Sequence, residues 1–329
     1  MNRLRLILDP FLLLLIATVI LASLLPARGV GAHVADVATD IGIVLLFFLH
    51  GAKLPREAIL RGAKAWRLHL ATLATTFVAF PLIGLATQQV TAIPGSMRAG
   101  LLFLTLLPST VQSSIAFTAI ARGNVAAAVV GASFSNVLGI FLTPLLVALL
   151  MQSGGTGGIV SLHSIEGIVL QLLLPFIIGH LLRPWIGDFV ERHRSVLGRV
   201  DRTTILMVVY AAFSAAVVEG LWHRVSRGEL LLLAALCCAM LLIILLFSWM
   251  LGRIMGFSRE DAIVLQFCGS KKSLASGVPI AGVLFPAAIV GPIILPLMLF
   301  HQIQLIACAL LARHYAAQGQ GAPHPAAVA

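Results

Sequence analysis

The chain reads as a succession of apolar runs of roughly twenty residues separated by short polar loops, about the length a helix needs to cross a bilayer. Ten runs are predicted, near residues 5–27, 34–53, 67–89, 98–121, 124–152, 161–183, 202–222, 229–253, 260–282 and 285–314. The first has the look of a signal peptide, with Arg3 and Arg5 ahead of it. Its apolar part is too long for that, and no small-residue cleavage site follows, so a retained span is expected. Residues 316–329 are Ala, Gly, Gln, Pro and His without periodicity, and are expected to form a disordered cytoplasmic tail.

The ninth run breaks the apolar pattern in its middle, where Gln266, Gly269, Ser270, Lys271, Lys272, Ser273, Ser276, Gly277 and Pro279 gather. A lysine at the centre of a spanning helix costs roughly 2.5–3.5 kcal/mol when charged and unpaired. Such residues are kept where they line a cavity or meet a partner or substrate. The Gly, Ser and Pro around them suit a span broken in the middle. The fourth run has a counterpart, Pro108 followed by Ser109, Thr110, Gln112, Ser113 and Ser114. Structural readings stand beside the functional one. The fourth span could carry a proline kink satisfied by hydroxyls. One lysine could cap the carbonyls of its own half-helix, or be neutral.

No carboxylate is expected near the pair, because Asp9, Asp36, Asp40, Glu166 and Glu219 fall towards span ends. A buried cation without an acidic partner favours a small organic anion as substrate. Gln112, Ser113, Ser114, Ser270, Lys271, Lys272 and Ser273 are the expected lining. Adjacent residues on a helix diverge by about 100°, so one lysine alone could face the site. Two other functions use the same residues: a regulatory or interaction protein with little transport, and a Ser–Lys enzyme with Ser270 or Ser273 as nucleophile. The second needs an oxyanion hole for which the sequence gives no sign, and the chain is read as a non-enzyme. Thr75 and Thr76 before Pro81, Ser133, Ser135 and Asn136, and His301, Gln302 and Gln304 are further polar residues inside runs. His50 and His180 read as satisfied interior histidines. Arg122, Gly123 and Asn124 read as a helix stop, with Gly at C′ and Asn as the next N-cap.

The chain divides into halves. Residues 127–131 (AAVVG) are echoed by 287–291 (AAIVG), and 114–116 (SIA) by 273–275 (SLA). Each half carries five runs, an odd number, so the second enters the membrane inverted. Residues 1–155 and 156–315 are the expected repeats. The fold class predicted is an all-α polytopic membrane protein of ten helices, with broken helices 4 and 9 meeting near the midplane.

Composition agrees: 60% of residues are hydrophobic and only 10% charged, against about 25% charged in soluble domains. The net charge of +10 would ordinarily suggest nucleic acid. Here the basic residues segregate instead, 16 to one set of loops and 4 to the other, counting along the predicted spans. That puts both termini in the cytoplasm of a cell whose inner membrane holds the protein and leaves no role for nucleic acid. Cys237, Cys238, Cys268 and Cys308 lie in apolar runs without metal-type spacing and read as small buried residues.

These motifs resemble the bile acid:sodium symporter superfamily, solute carrier family 10. Residues 121–126 (ARGNVA) resemble its turn after the fourth helix, residues 142–146 (LTPLL) its fifth-helix ending, and Phe300-His301-Gln302 its Trp-His-Asn-like segment. Residues 267–279 (FCGSKKSLASGVP) are similar to the signature of the SBF-like branch. The resemblance covers about 5–314. It implies a panel of spans 1, 2, 6 and 7, a core of spans 3–5 and 8–10, and alternating access between them. Set against the sodium-coupled members, the ninth-helix glutamate and Gln-Asn pair fall on Gln266, Ser270 and Lys271, a third-helix glutamine on Thr76, and fifth-helix hydroxyl ligands on Ala128 and Ala132. His301 joins the implied site. Sodium is therefore doubtful as a coupling ion, no other cofactor is expected, and the Lys271 or Lys272 ammonium is expected to stand in for the cation.

Overall fold

The computed structural model describes residues 10–53, 65–151 and 167–318. Its elements are α1 (Pro10–Leu24), α2 (Val30–Lys53), α3 (Trp66–Thr87), α4 (Gly95–Thr105), α5 (Gln112–Ile120), α6 (Val125–Leu150), α7 (Val169–Arg192), α8 (Arg194–Val218), α9 (Arg227–Ile254), α10 (Arg259–Gly269), α11 (Leu274–Leu284) and α12 (Ala287–Gln318). No strand occurs among the described residues. Seven of these helices are long and apolar enough to cross a membrane: α2, α3, α6, α7, α8, α9 and α12. The pairs α4–α5 and α10–α11 are short helices separated by non-helical breaks at 106–111 and 270–273. Both breaks fall where polar residues interrupt the apolar runs.

Local chemistry sets the helix starts. Asn124 caps α6 by accepting from the Ala127 amide at 3.0 Å, and Ser258 caps α10 by accepting from Asp261 at 3.2 Å. Ser226 and Glu229 close a reciprocal capping box on α9. Glycines set the closest packing. A Cβ on Gly51 would lie 2.0 Å from the Phe176 carbonyl, and one on Gly179 the same distance from that of Phe48, so α2 and α7 touch backbone to backbone. Gly100 of α4 meets the Ile293 carbonyl of α12 in the same way. α1 and α2 pack on α8, while α5 and α10 pack on α3, α6, α9 and α12. Both groups meet where Gly291 of α12 abuts Ala212 and Ala216 of α8, and Gly282 of α11 faces Val208 and Ile43.

Several expectations change. α7 and α8 run on through the predicted basic loop and meet at His193, because the charged residues 188–202 extend helices whose apolar parts are already packed. α12 continues to Gln318, so the first residues of the expected tail are helical, and 319–329 lie outside the described residues. The first nine residues and the linker holding Glu166 also lie outside them. α2 starts at Val30, which places Asp40 near its midpoint and not at a span end. At the α5–α6 turn the positive φ, 61°, belongs to Arg122. Gly123 is required for space instead: a Cβ there would sit 2.6 Å from Ile263 Cγ2. Cys238 is exposed, while Cys237, Cys268 and Cys308 are buried. His50 Nδ1 meets the Leu46 carbonyl at 2.8 Å, but buried His180 Nδ1 has no hydrogen-bond partner among the described residues.

A leucine at Gly179 has no room, since its Cβ would meet main-chain atoms that cannot rotate away. Gly179→Leu is expected to separate α2 from α7 and destabilise the protein by at least about 1–3 kcal/mol, read as a lowered melting temperature in detergent. A Gly187→Leu control, which has only the flexible Arg183 side chain nearby, is expected to melt like the parent.

Candidate functional site

The two breaks cross. Ser273, the first residue after the lysines, donates its amide to the carbonyl of Pro108 at 2.9 Å. Ser114 of α5 donates to the Phe267 carbonyl of α10 at 3.1 Å. Pro108 lies against Gly139 of α6, where a Cβ would be 2.5 Å away, and Gly277 leaves room for Leu107.

Breaking a helix orphans its last carbonyls, and here their partners can be followed one by one. Leu106 and Leu107 return amides to Phe103 and Leu104. Thr105 Oγ1 donates to Leu102 at 2.6 Å, and Thr143 of α6 donates to Leu106 at 2.8 Å. The carbonyls of Thr105 and Leu107 receive the Lys272 ammonium at 2.6 and 2.8 Å. A third carbonyl, of Thr76, receives it at 2.8 Å.

That third carbonyl is free for a reason written in the sequence. Residues 75–79 of α3 form a π-turn in which the Phe80 amide reaches back five residues to Thr75. The next amide would serve Thr76, but residue 81 is proline and has none. Thr72, Thr75 and Thr76 each fold a hydroxyl onto the carbonyl four residues earlier, at 2.8–2.9 Å, which favours such a bend. Thr76 therefore contributes its carbonyl to the centre and not its hydroxyl.

Lys272 is wholly buried. Its ammonium also stands 4.3 Å from the centre of the Phe80 ring. Its backbone is clamped by Gln304, which accepts from the Lys272 amide and donates to the Lys272 carbonyl, both at 2.9 Å. Gln304 meets His301 Nδ1 at 2.9 Å, so His301 positions the clamp. Charge-assisted hydrogen bonds contribute about 1.5–3 kcal/mol each. Three of them exceed the roughly 2.5–3.5 kcal/mol insertion cost of one lysine. The capping reading was right in kind, but Lys272 caps the opposite broken helix and not its own.

Lys271 is equally buried and differently placed. Its ammonium lies 4.1 Å from the Phe117 ring centre and 5.4 Å from that of Phe267. Among the described residues its one hydrogen-bond contact is Ser113 Oγ, at 3.5 Å. Ring contacts supply about 0.5–2 kcal/mol each, so this charge is compensated far less than its neighbour. Among the described residues neither lysine has a carboxylate partner, and no cluster of metal-ligating side chains occurs. Ser113 opens α5, where Thr110 meets Ser113 and Ser114 at 2.8 and 3.4 Å. The amides of Val111, Gln112 and Ser113 find no acceptor among the described residues, and the Gln112 side chain is exposed.

Of the residues expected together, Thr76, Ser113, Ser114, Lys271, Lys272, Ser273 and His301 converge on the crossing. Gln266 does not. Its amide is tied to the Leu245 carbonyl at 3.0 Å and to the Tyr315 hydroxyl at 2.7 Å. Ser270 turns its hydroxyl back onto the Gln266 carbonyl, and Ser273 donates to Ser276, so neither serine is paired with a lysine amine as a Ser–Lys nucleophile requires. Thr105, Leu107, Phe80 and Phe117 belong to the crossing and were not singled out for it; Ser276 and Asn136, noted as polar residues inside the ninth and fifth runs, reach it too. Ser276 donates to Asn136 at 2.9 Å. Only Pro108 and Pro81 signalled the free carbonyls.

Against known families, the profile of the SBF-like CPA transporter family matches residues 9–317. An uncharacterized protein of Pseudomonas aeruginosa is 55% identical over 96% of this chain and 95% of its own length. The provisionally named symporter YfeH of Escherichia coli K12 is 52% identical over 95% of this chain and 94% of its own. Sodium/bile acid cotransporter 7 of Xenopus tropicalis is 26% identical over 90% and 87%.

The unequal surroundings of the two lysines give an expected order of stability. Lys272→Met leaves three carbonyls without a donor and is expected to destabilise by roughly 3–5 kcal/mol. Lys271→Met removes a weakly compensated charge and is expected to be near neutral or stabilising. Melting temperatures of the two variants, measured side by side in one detergent, check the order.

Proposed function

The chain belongs to the SBF-like CPA transporter family, and on that premise we propose that it is a secondary carrier of a small organic anion, working by alternating access in the cytoplasmic membrane. The observation that carries the proposal is the Lys271 ammonium: buried, without a carboxylate, and beside the open amides at the start of α5. An anionic group seated there would meet a full positive charge and the positive end of a helix together.

The order of the elements supports ten spans in two inverted repeats. In each half a short-helix pair broken at its centre is followed by one long helix, α4–α5–α6 and then α10–α11–α12. With broken spans 4 and 9 counted as single crossings, α1–α6 form the first repeat, within 1–155, and α7–α12 the second, within 156–315. α1, α2, α7 and α8 are then the panel and the remaining helices the core. Core and panel pack at α11 and the first turns of α12 against α8, whereas α5 and α10 have no comparable packing on the panel. With the termini cytoplasmic, as the charge asymmetry favours, α5 and α10 are the inward halves of the two broken spans.

Sodium is not needed in this reading. Three carbonyls at 2.6–2.8 Å already hold the Lys272 ammonium, the kind of oxygen set that a solution cation would otherwise occupy. A covalent cation there makes coupling to sodium unnecessary, whatever the cotransporter relatives do.

Two measurements test this. Melting temperature in NaCl against choline chloride is expected to be equal for the parent, and higher in NaCl for Lys272→Ala, whose emptied carbonyl set is open to an ion. A sodium-specific rise in the parent sinks the surrogate-cation reading. For the carrier itself, Gln112→Cys and Ala116→Cys, both on the exposed face of α5, are placed in a chain lacking its four native cysteines. An impermeant thiol reagent is expected to label them from the cytoplasmic face of inverted vesicles, and organic anions that raise the melting temperature are expected to slow that labelling. Loss of this protection in Lys271→Met supports the role of Lys271. Labelling that no anion alters favours a regulatory membrane protein over a carrier.

A further inference from the structure

Away from the crossing, a concavity runs along α8. A cavity of about 420 Å³ follows the face of Val196, Arg199, Thr203 and Met207. A second, of about 240 Å³, shares Thr203 and Met207 and continues between α1 and α2 to Leu21, Ala35 and Tyr210. Together they form one groove from Val196 to Tyr210, about 21 Å long at 1.5 Å per residue. One leaflet of a bilayer has roughly 15 Å of hydrocarbon, so the groove is the length of one leaflet's acyl chain with part of its head group.

The two ends differ in chemistry. Towards Tyr210 the walls are apolar and the tyrosine hydroxyl is used on the Leu25 carbonyl, at 2.8 Å. At the other end Arg199 is exposed and makes no ion pair among the described residues. Arg202, one turn along, lies over the Phe11 ring with its guanidinium 5.8 Å from the centroid. Asp201, two residues on from Arg199, is taken by Lys53 at 2.6 Å. Trp185, 76% exposed, and the Phe189–His193 ring pair precede the junction of α7 with α8 at His193, residue types that suit a membrane interface.

We propose that this groove is a binding site for an anionic phospholipid, with one acyl chain along Thr203, Met207 and Tyr210 and the phosphate on Arg199. A second copy of the chain is a poorer occupant. A two-fold contact brings the same patch of both subunits together, which would set Arg199 and Arg202 against their equivalents. A zwitterionic lipid fits the apolar part but leaves the two arginines uncompensated. A basic pocket at the cytoplasmic end of spanning helices suits the anionic lipids enriched at that surface. The proposal requires that the chain span a bilayer, and is independent of what Lys271 binds.

The test uses the full chain purified in detergent, titrated with mixed micelles of phosphatidylglycerol or of phosphatidylcholine with the same acyl chains. Native mass spectrometry reads bound lipid, and melting temperature reads its effect. Phosphatidylglycerol is expected to bind more tightly and to raise the melting temperature more. Arg199→Gln is expected to weaken its binding about fivefold and to leave phosphatidylcholine unchanged. Met207→Trp is expected to weaken both lipids by filling the groove. Should that variant misfold, Thr203→Leu at an exposed position serves instead. Equal binding of the two lipids by the parent overturns the proposal, as does a phosphatidylglycerol preference that survives Arg199→Gln. A groove-filling variant that dissociates a dimer while its lipid binding stands assigns the groove to a second copy and overturns it too.

Discussion

A cation must sit where the two broken helices cross. α4 ends inside the protein with its carbonyls pointing inward, and the π-turn in α3 followed by Pro81 aims one more carbonyl at the same spot. Three main-chain oxygens cannot be left bare in a medium without water, because each unsatisfied group costs on the order of 1–3 kcal/mol. Lys272 meets all three with one ammonium. The break needs the charge and the charge needs the break. Neither a regular fourth helix nor a neutral residue at 272 satisfies the other partner.

Two adjacent lysines then take opposite parts. Both leave the non-helical break between α10 and α11, Lys272 into the carbonyls and Lys271 against two phenylalanine rings. Gln304 prevents exchange by holding both backbone groups of Lys272. Equal burial thus conceals unequal compensation. One ammonium has three short charge-assisted hydrogen bonds, and the other has a single 3.5 Å contact with a hydroxyl. The second charge is the one with capacity left for something outside the protein.

The sequence disclosed this centre unevenly. Proline in the fourth run and paired lysines in the ninth were legible as breaks, because each is expensive in an apolar helix and has few structural uses. The acceptors were not legible, since every residue has a carbonyl and only its neighbours decide which are free. Thr76 was singled out for a side chain, yet its hydroxyl folds back on Thr72 and its carbonyl serves. Gln266 matched a ligand position by resemblance, but Tyr315, from a helix end far along the chain, claims its amide. Span edges were read from hydropathy alone. They missed that α7 and α8 stay helical through Arg192 and Arg194, where charge ends the membrane segment without ending the helix.

The same bonds decide which part of the molecule is stiff. The crossing is tied by Ser273 to Pro108, by Ser114 to Phe267 and by Gln304 to Lys272, joining α4, α5, α10, α11 and α12 with buried hydrogen bonds. The contact between α8 and α11–α12 is of another kind. Gly291, Ala212 and Ala216, and Gly282 with Val208, meet through small apolar surfaces without a hydrogen bond of their own. A smooth apolar contact can slide in steps at little enthalpic cost, whereas the crossing cannot move without exposing its carbonyls. In the carrier proposed above, a motion that changes access to Lys271 would therefore have to carry the crossing as one body, with the fixed ammonium of Lys272 inside it, and take up the displacement along α8.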